Sequence, residues 1–153
     1  MSILVTGNAP LGELLVGINI ITQEQLKEAL KVQAESPGKP MGDLLLSLGY
    51  ITEKQLMQAL EYRYRIPLYD LSSYDLDPEM AKYISAETAK KYNIAVIARQ
   101  GNQLTLATSD PMNFHAVDDV KLESKLDVKT ILATPSDIKG AIVRLYEMTQ
   151  TTE

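Results

Sequence analysis

Apolar residues recur at helical spacing through the first third of the chain and at strand spacing only later. Leu11, Leu14, Leu15 and Ile18 fall on one face of a short helix. Leu26, Ala29, Leu30 and Gln33 continue a single stripe along a longer helix, and Leu56, Ala59, Leu60 and Arg63 draw the same stripe again. Thr22 with Gln25 and Thr52 with Gln55 have capping-box spacing, in which the hydroxyl accepts the N3 amide and the glutamine reaches back. The run 36–40, Ser-Pro-Gly-Lys-Pro, breaks the pattern between them. Further on, 85–92 reads as a helix, and 94–98 and 104–107 read as strands joined by a hairpin through Gly101 and Asn102. Asp110 as N-cap with Pro111 behind it predicts a helix to about Glu123. A third strand is predicted over 127–133, and Thr134-Pro135 opens a last helix to about Tyr146.

The helical part is an internal repeat. Residues 10–15, Pro-Leu-Gly-Glu-Leu-Leu, return thirty positions later at 40–45 as Pro-Met-Gly-Asp-Leu-Leu. Ile21-Thr22, Gln25-Leu26 and Ala29-Leu30 likewise return as Ile51-Thr52, Gln55-Leu56 and Ala59-Leu60. Helical arrays need about three copies to be stable, so two copies predict a pseudo-twofold unit that leans on something else. The expected architecture is α+β: a duplicated helical subdomain over 1–66, with copies at about 10–33 and 40–63, packed on a ββαβα subdomain over 83–153. Residues 67–82 read as a linker rich in turn residues.

Composition narrows the function. The chain has 153 residues, 45% of them hydrophobic, which is enough for a core without staples. With no cysteine, thiol chemistry and cysteine-based zinc sites are excluded. A net charge of −5 argues against duplex nucleic acid and against electrostatic docking on anionic lipid. The amino terminus lacks the basic and apolar regions of a signal peptide, and the apolar stretch 14–21 is too short to insert in a bilayer. A cytoplasmic protein is expected.

No catalytic constellation is visible. The single histidine, His115, reads as a helix-surface residue, and Asp118-Asp119 as a solvated face because adjacent helical positions diverge. No phosphate-binding loop occurs, since Gly38-Lys39 runs into Pro40, which lacks an amide hydrogen. No metal site and no cofactor are expected. Binding features are stronger. Gly12 and Gly42 hold the same place in each copy, where a glycine allows close approach either of another helix or of a ligand. Tyr62-Arg63-Tyr64-Arg65 interleaves basic and aromatic residues. It fits either a clamp on a base or a helix end whose cations complement the carbonyl terminus.

The duplicated Gly-x-Leu-Leu and Ile-Thr-x-x-Gln-Leu-x-x-Ala-Leu frame carries a family resemblance, together with residues 89–93, 104–113 and the closing 134–146. The chain closely resembles the amino-terminal domain of bacterial type II secretion and type IV pilus assembly ATPases, over nearly its whole length. The resemblance implies a domain that precedes the motor and docks it on an inner-membrane platform protein, with the motor ATPase domain as a further partner if the chain is part of a longer protein. In the branch called MshEN it also implies cyclic di-GMP as a regulatory ligand. The family's ligand motif opens each copy with Arg-Leu-Gly and closes it with Gln. It maps here onto Leu11, Gly12, Leu14, Leu15 and Gln33, then Lys39, Met41, Gly42, Asp43 and Arg63, with Asp110 from the second half. Pro10 and Pro40 stand where the family has arginines, and Arg63 stands where it has the second Gln. Two lost arginine contacts cost about 3–6 kcal/mol, or roughly 10² to 10⁴ in dissociation constant. Docking is therefore the leading expectation, with Tyr62, Tyr64, Ile66 and Tyr69 as candidate anchors, and cyclic di-GMP binding the alternative.

Overall fold

The computed structural model describes residues 10–147. It divides between Arg65 and Ile66 into two compact units, each with its own hydrophobic core.

The first unit is helical: α1 Leu11–Gly17, α2 Gln23–Glu35, α3 Met41–Ser47 and α4 Glu53–Tyr64. Both capping boxes form. Thr22 and Thr52 each accept the backbone amide three residues on, at 3.1 Å, and Gln25 and Gln55 return the bond. Leu14, Leu15, Leu26, Ala29, Leu45, Ile51 and Ala59 make the core. The two long helices differ in what they bury. On α4 the buried places go to Met57 and Ala59, while Leu56, Leu60 and Arg63 are only half-buried. On α2 the predicted stripe leaves the core at Leu30, which is 49% exposed.

The second unit adds a three-stranded sheet in the order β1 (Ala95–Gln100), β2 (Gln103–Thr108), β3 (Asp127–Leu132). β1 and β2 form an antiparallel hairpin that turns at Gly101, where φ is +59°. β2 and β3 run parallel, linked through α6 (Phe114–Ser124). With α5 (Ala86–Tyr92) before the sheet and α7 (Pro135–Ile142) after it, the fold is α+β, with a ββαβα order from β1 onward. The last helix changes to a π-helical turn over Val143–Glu147.

Residues 67–82 belong to this second unit and do more than connect. Leu132 donates its amide to the Pro67 carbonyl and accepts from the Tyr69 amide, both at 2.8 Å. Leu71 is fully buried, and Tyr74, Leu76 and Met80 pack against the core. The Arg144 guanidinium donates to the carbonyls of Leu71 at 2.7 Å and Tyr74 at 3.4 Å, clasping this segment from the π-helical turn. Turn residues are dense here because the chain bends around a core, which composition alone does not distinguish from a linker.

Two helix details differ from the sequence expectation. α6 begins at Phe114 with Asn113 as N-cap, its side chain accepting the Ala116 amide at 3.2 Å. Asp110 instead caps a separate turn by accepting the Met112 amide at 3.1 Å. His115 is exposed on α6, as is Asp118. Asp119 is half-buried and accepts the Tyr92 hydroxyl, so the two aspartates do not share one solvated face. That bond, followed by desolvation, raises the Tyr92 pKa above the ordinary tyrosine value. Among the described residues no helix is long and apolar enough to cross a membrane.

Candidate functional site

α1 and α3 begin in the same way. Pro10 (φ −56°, ψ 151°) and Pro40 (φ −63°, ψ 147°) take the N-cap positions without a side-chain cap, and their carbonyls accept the amides of Leu14 and Leu44. Proline's fixed φ suits such an entry, and its missing amide hydrogen lies outside the helix ladder. Two residues on, each glycine faces a leucine of the following helix. A Cβ on Gly12 would overlap Leu26 Cδ1. One on Gly42 would stand 3.3 Å from Leu56 Cδ2 and 3.4 Å from Leu11 Cδ2. Both glycines are buried, so close helix packing accounts for them, and the Leu11 contact ties the two copies together.

Beside this packing lies a groove of about 500 Å³. Pro10, Leu11, Gly12 and Glu13 from the start of α1 form one wall; Gln23, Leu26, Leu30 and Gln33 of α2 form the other, and Met41 closes the end. Gln33 donates its side-chain amide to the Lys39 carbonyl at 3.2 Å, which ties the end of α2 to the turn between the copies. That turn needs Gly38, whose φ is +93°. Among the described residues Glu13 is the charged member of the lining, and no lysine or arginine belongs to it.

The predicted site residues therefore separate. Leu11, Gly12, Gln33 and Met41 meet at the groove. Leu14 and Leu15, each 0% exposed, belong to the core of the first unit. Lys39, Asp43 and Arg63 are outside the groove lining, and Asp43 is an exposed first-turn residue of α3. Asp110 is in the second unit, where its amide donates to Thr108 Oγ1 at 3.0 Å. Of the aromatic set, Tyr62 is 51% exposed at the end of α4. Tyr64 is half-buried, with the Arg63 guanidinium 6.0 Å from its ring centre, and Arg65 caps the helix in the left-handed conformation. Ile66 is half-buried, and Tyr69 packs on the second core beside Tyr74. Leu30, Glu13 and Gln23 were not singled out as site residues. The signal for Leu30 was present, because its stripe continues past what a core shared with a seven-residue α1 can cover.

The chain is thus a duplicated helical unit with an apolar groove, followed by a small α+β unit. Comparison with known proteins gives it a family: the MshEN domain matches residues 64–152, more than half of the chain, and the chain belongs to that family. It is 35% identical to the type IV pilus assembly ATPase PilB of Myxococcus xanthus over 136 residues, 89% of this chain and 24% of that protein. PilB of Pseudomonas aeruginosa is 29% identical over 85 residues, 56% of this chain and 15% of the relative. The chain thus spans about a quarter of the length of the Myxococcus relative. Among solved structures, that of MshE with cdg superposes with a TM-score of 0.78 at 29% identity, covering 91% of this chain and all of that one. The amino-terminal domain of XpsE shares the fold, with a TM-score of 0.72 at 22% identity over 92% of this chain and 96% of its own. The resemblance to amino-terminal domains of secretion and pilus ATPases is thereby confirmed. The family match covers the second unit, and the PilB and MshE similarities extend over the first as well.

Proposed function

We propose that this chain is a non-catalytic docking and regulatory domain of a type IV pilus or type II secretion motor, and that it binds a platform protein at the inner membrane. The observation that carries this reading is the lining of the groove, which is apolar over most of its wall and has a carboxylate as its charged group. Such a surface gains about 25 cal/mol for each Å² of apolar area covered, and it repels a dianion. The similarity to a pilus assembly ATPase across 89% of the chain supports the pathway. The chain lacks a phosphate-binding loop, in keeping with a role separate from hydrolysis. The test is capture of the purified cytoplasmic domain of the cognate platform protein by this chain at physiological salt. Saturable binding is expected, and absence of binding by folded protein would refute the reading. The same preparation is expected to release no phosphate from ATP with magnesium.

A second reading, cyclic di-GMP as ligand of the same groove, is favoured by two observations. Leu11, Gly12 and Gln33, three positions of the family's ligand motif, do line it, and the similar MshE was solved with cdg. Without cations among the described lining residues, the expected dissociation constant is about 10 µM or weaker.

A further inference from the structure

We infer that the groove of the first unit receives a short amphipathic helix from a partner protein, about three turns long and basic where it faces Glu13. This rests on the docking reading and names the chemistry of the partner. Three observations carry it. Among its described residues the unit has helices and no strand edge for an incoming chain to extend, and the recognition mode that suits an apolar trough between helices is helix-in-groove. The α2 wall runs from Gln23 to Gln33. Ten residues of rise span about 15 Å, close to three turns of a partner helix. Finally, Leu30 stands 49% exposed in that wall, an anchor of the kind such helices cover, and among the described residues the charged member of the lining is Glu13. Complementarity then selects a lysine or arginine on the incoming helix and disfavours an acidic one.

Two synthetic helical peptides of twelve residues test this. Both carry leucines at the i, i+3, i+4 and i+7 positions, one with lysines elsewhere and one with glutamates. Fluorescence anisotropy is expected to show the basic peptide bound and the acidic one at least tenfold weaker. Because the whole chain is acidic, the control is internal to the repeat: Asp43 is the counterpart of Glu13 but lies outside the groove lining. Glu13→Lys is expected to weaken the basic peptide about three- to tenfold, while Asp43→Lys leaves it nearly unchanged. Leu30→Asp, with folding verified by circular dichroism, is expected to weaken it at least tenfold. Equal losses in Glu13→Lys and Asp43→Lys would reduce the effect to net charge and overturn the inference, as would no effect of Leu30→Asp or no binding of either peptide. Self-association, or submicromolar cyclic di-GMP binding, that Leu30→Asp abolishes would assign the groove to another occupant and also overturn it. Platform capture that survives Leu30→Asp would refute this inference and leave the docking role standing. Peptide binding without platform capture would do the reverse.

Discussion

At Gly12 an added Cβ would overlap the end of the buried Leu26 side chain, whereas at Gly42 the nearest atom would stand 3.3 Å away. Helix propensity favours alanine over glycine by about 1 kcal/mol, and overpacking a core costs about 1–3 kcal/mol. Gly12→Ala is therefore expected to lose about 1 kcal/mol, and Gly42→Ala to be near neutral or stabilising, in urea unfolding followed by circular dichroism. The repeat made both glycines visible in the sequence, but their unequal clearance depends on how two leucines pack. Tyr146 is a second single-residue case. Its hydroxyl donates to the Ile84 carbonyl at 3.0 Å, and burial, reinforced by the charge of Glu123, pushes its pKa up to about 12. The unfolded chain releases this proton near the ordinary tyrosine value of about 10, so between those values the folded state holds more protons. The stabilisation is complete below pH 10 and disappears as pH rises through the folded value. Tyr146→Phe is expected to be less stable at pH 8 and to show a shallower fall between pH 9.5 and 11.5.

Among the elements, the caps of α2 and α4 were the most legible, because a capping box is a contact between residues three apart and owes nothing to the rest of the chain. Thr22→Ala and Thr52→Ala are each expected to lose about 1 kcal/mol. The double variant should lose close to the sum, since the two caps act on different helices. A single loss shared between them in the same denaturation experiment would mean that the two copies do not unfold together. Where two capping residues lie close together, local reading loses its power. Asp110 and Asn113 both suit an N-cap, and the choice fell to Asn113 while Asp110 closed a turn. The π-helical turn at Val143–Glu147 had no local signal at all. It sits where Arg144 reaches two carbonyls of the 71–74 segment and Tyr146 reaches Ile84, partners about seventy and sixty positions away in the chain.

For the whole molecule, the two prolines set the expected response to a dianionic ligand. Both occupy extended N-cap conformations that arginine also adopts without strain, and both are exposed. Pro10→Arg with Pro40→Arg is thus expected to fold normally and to tighten cyclic di-GMP at least tenfold from about 10 µM or weaker, as read by titration calorimetry at modest ionic strength. No gain in a folded double variant would mean that the groove is not the ligand's site. Submicromolar binding by the unaltered chain would mean that Gln33, Arg63 or backbone amides replace the missing guanidinium groups.

The sequence by itself determined the duplication, the helix starts at Thr22 and Thr52, the hairpin about Gly101 and the family, because each is written in local spacing or in a pattern repeated along the chain. Tertiary structure decided which apolar residues are core and which are surface. Leu14, Leu15 and Leu30 have the same hydrophobicity and the same helical periodicity, yet two are sealed and one is half exposed. A stripe states which face of a helix is apolar, but its partner's length decides how much of that face is covered. For the same reason residues 67–82, polar and rich in turns, became part of the second unit: Leu71 and Tyr74 found their partners at Arg144, far along the chain.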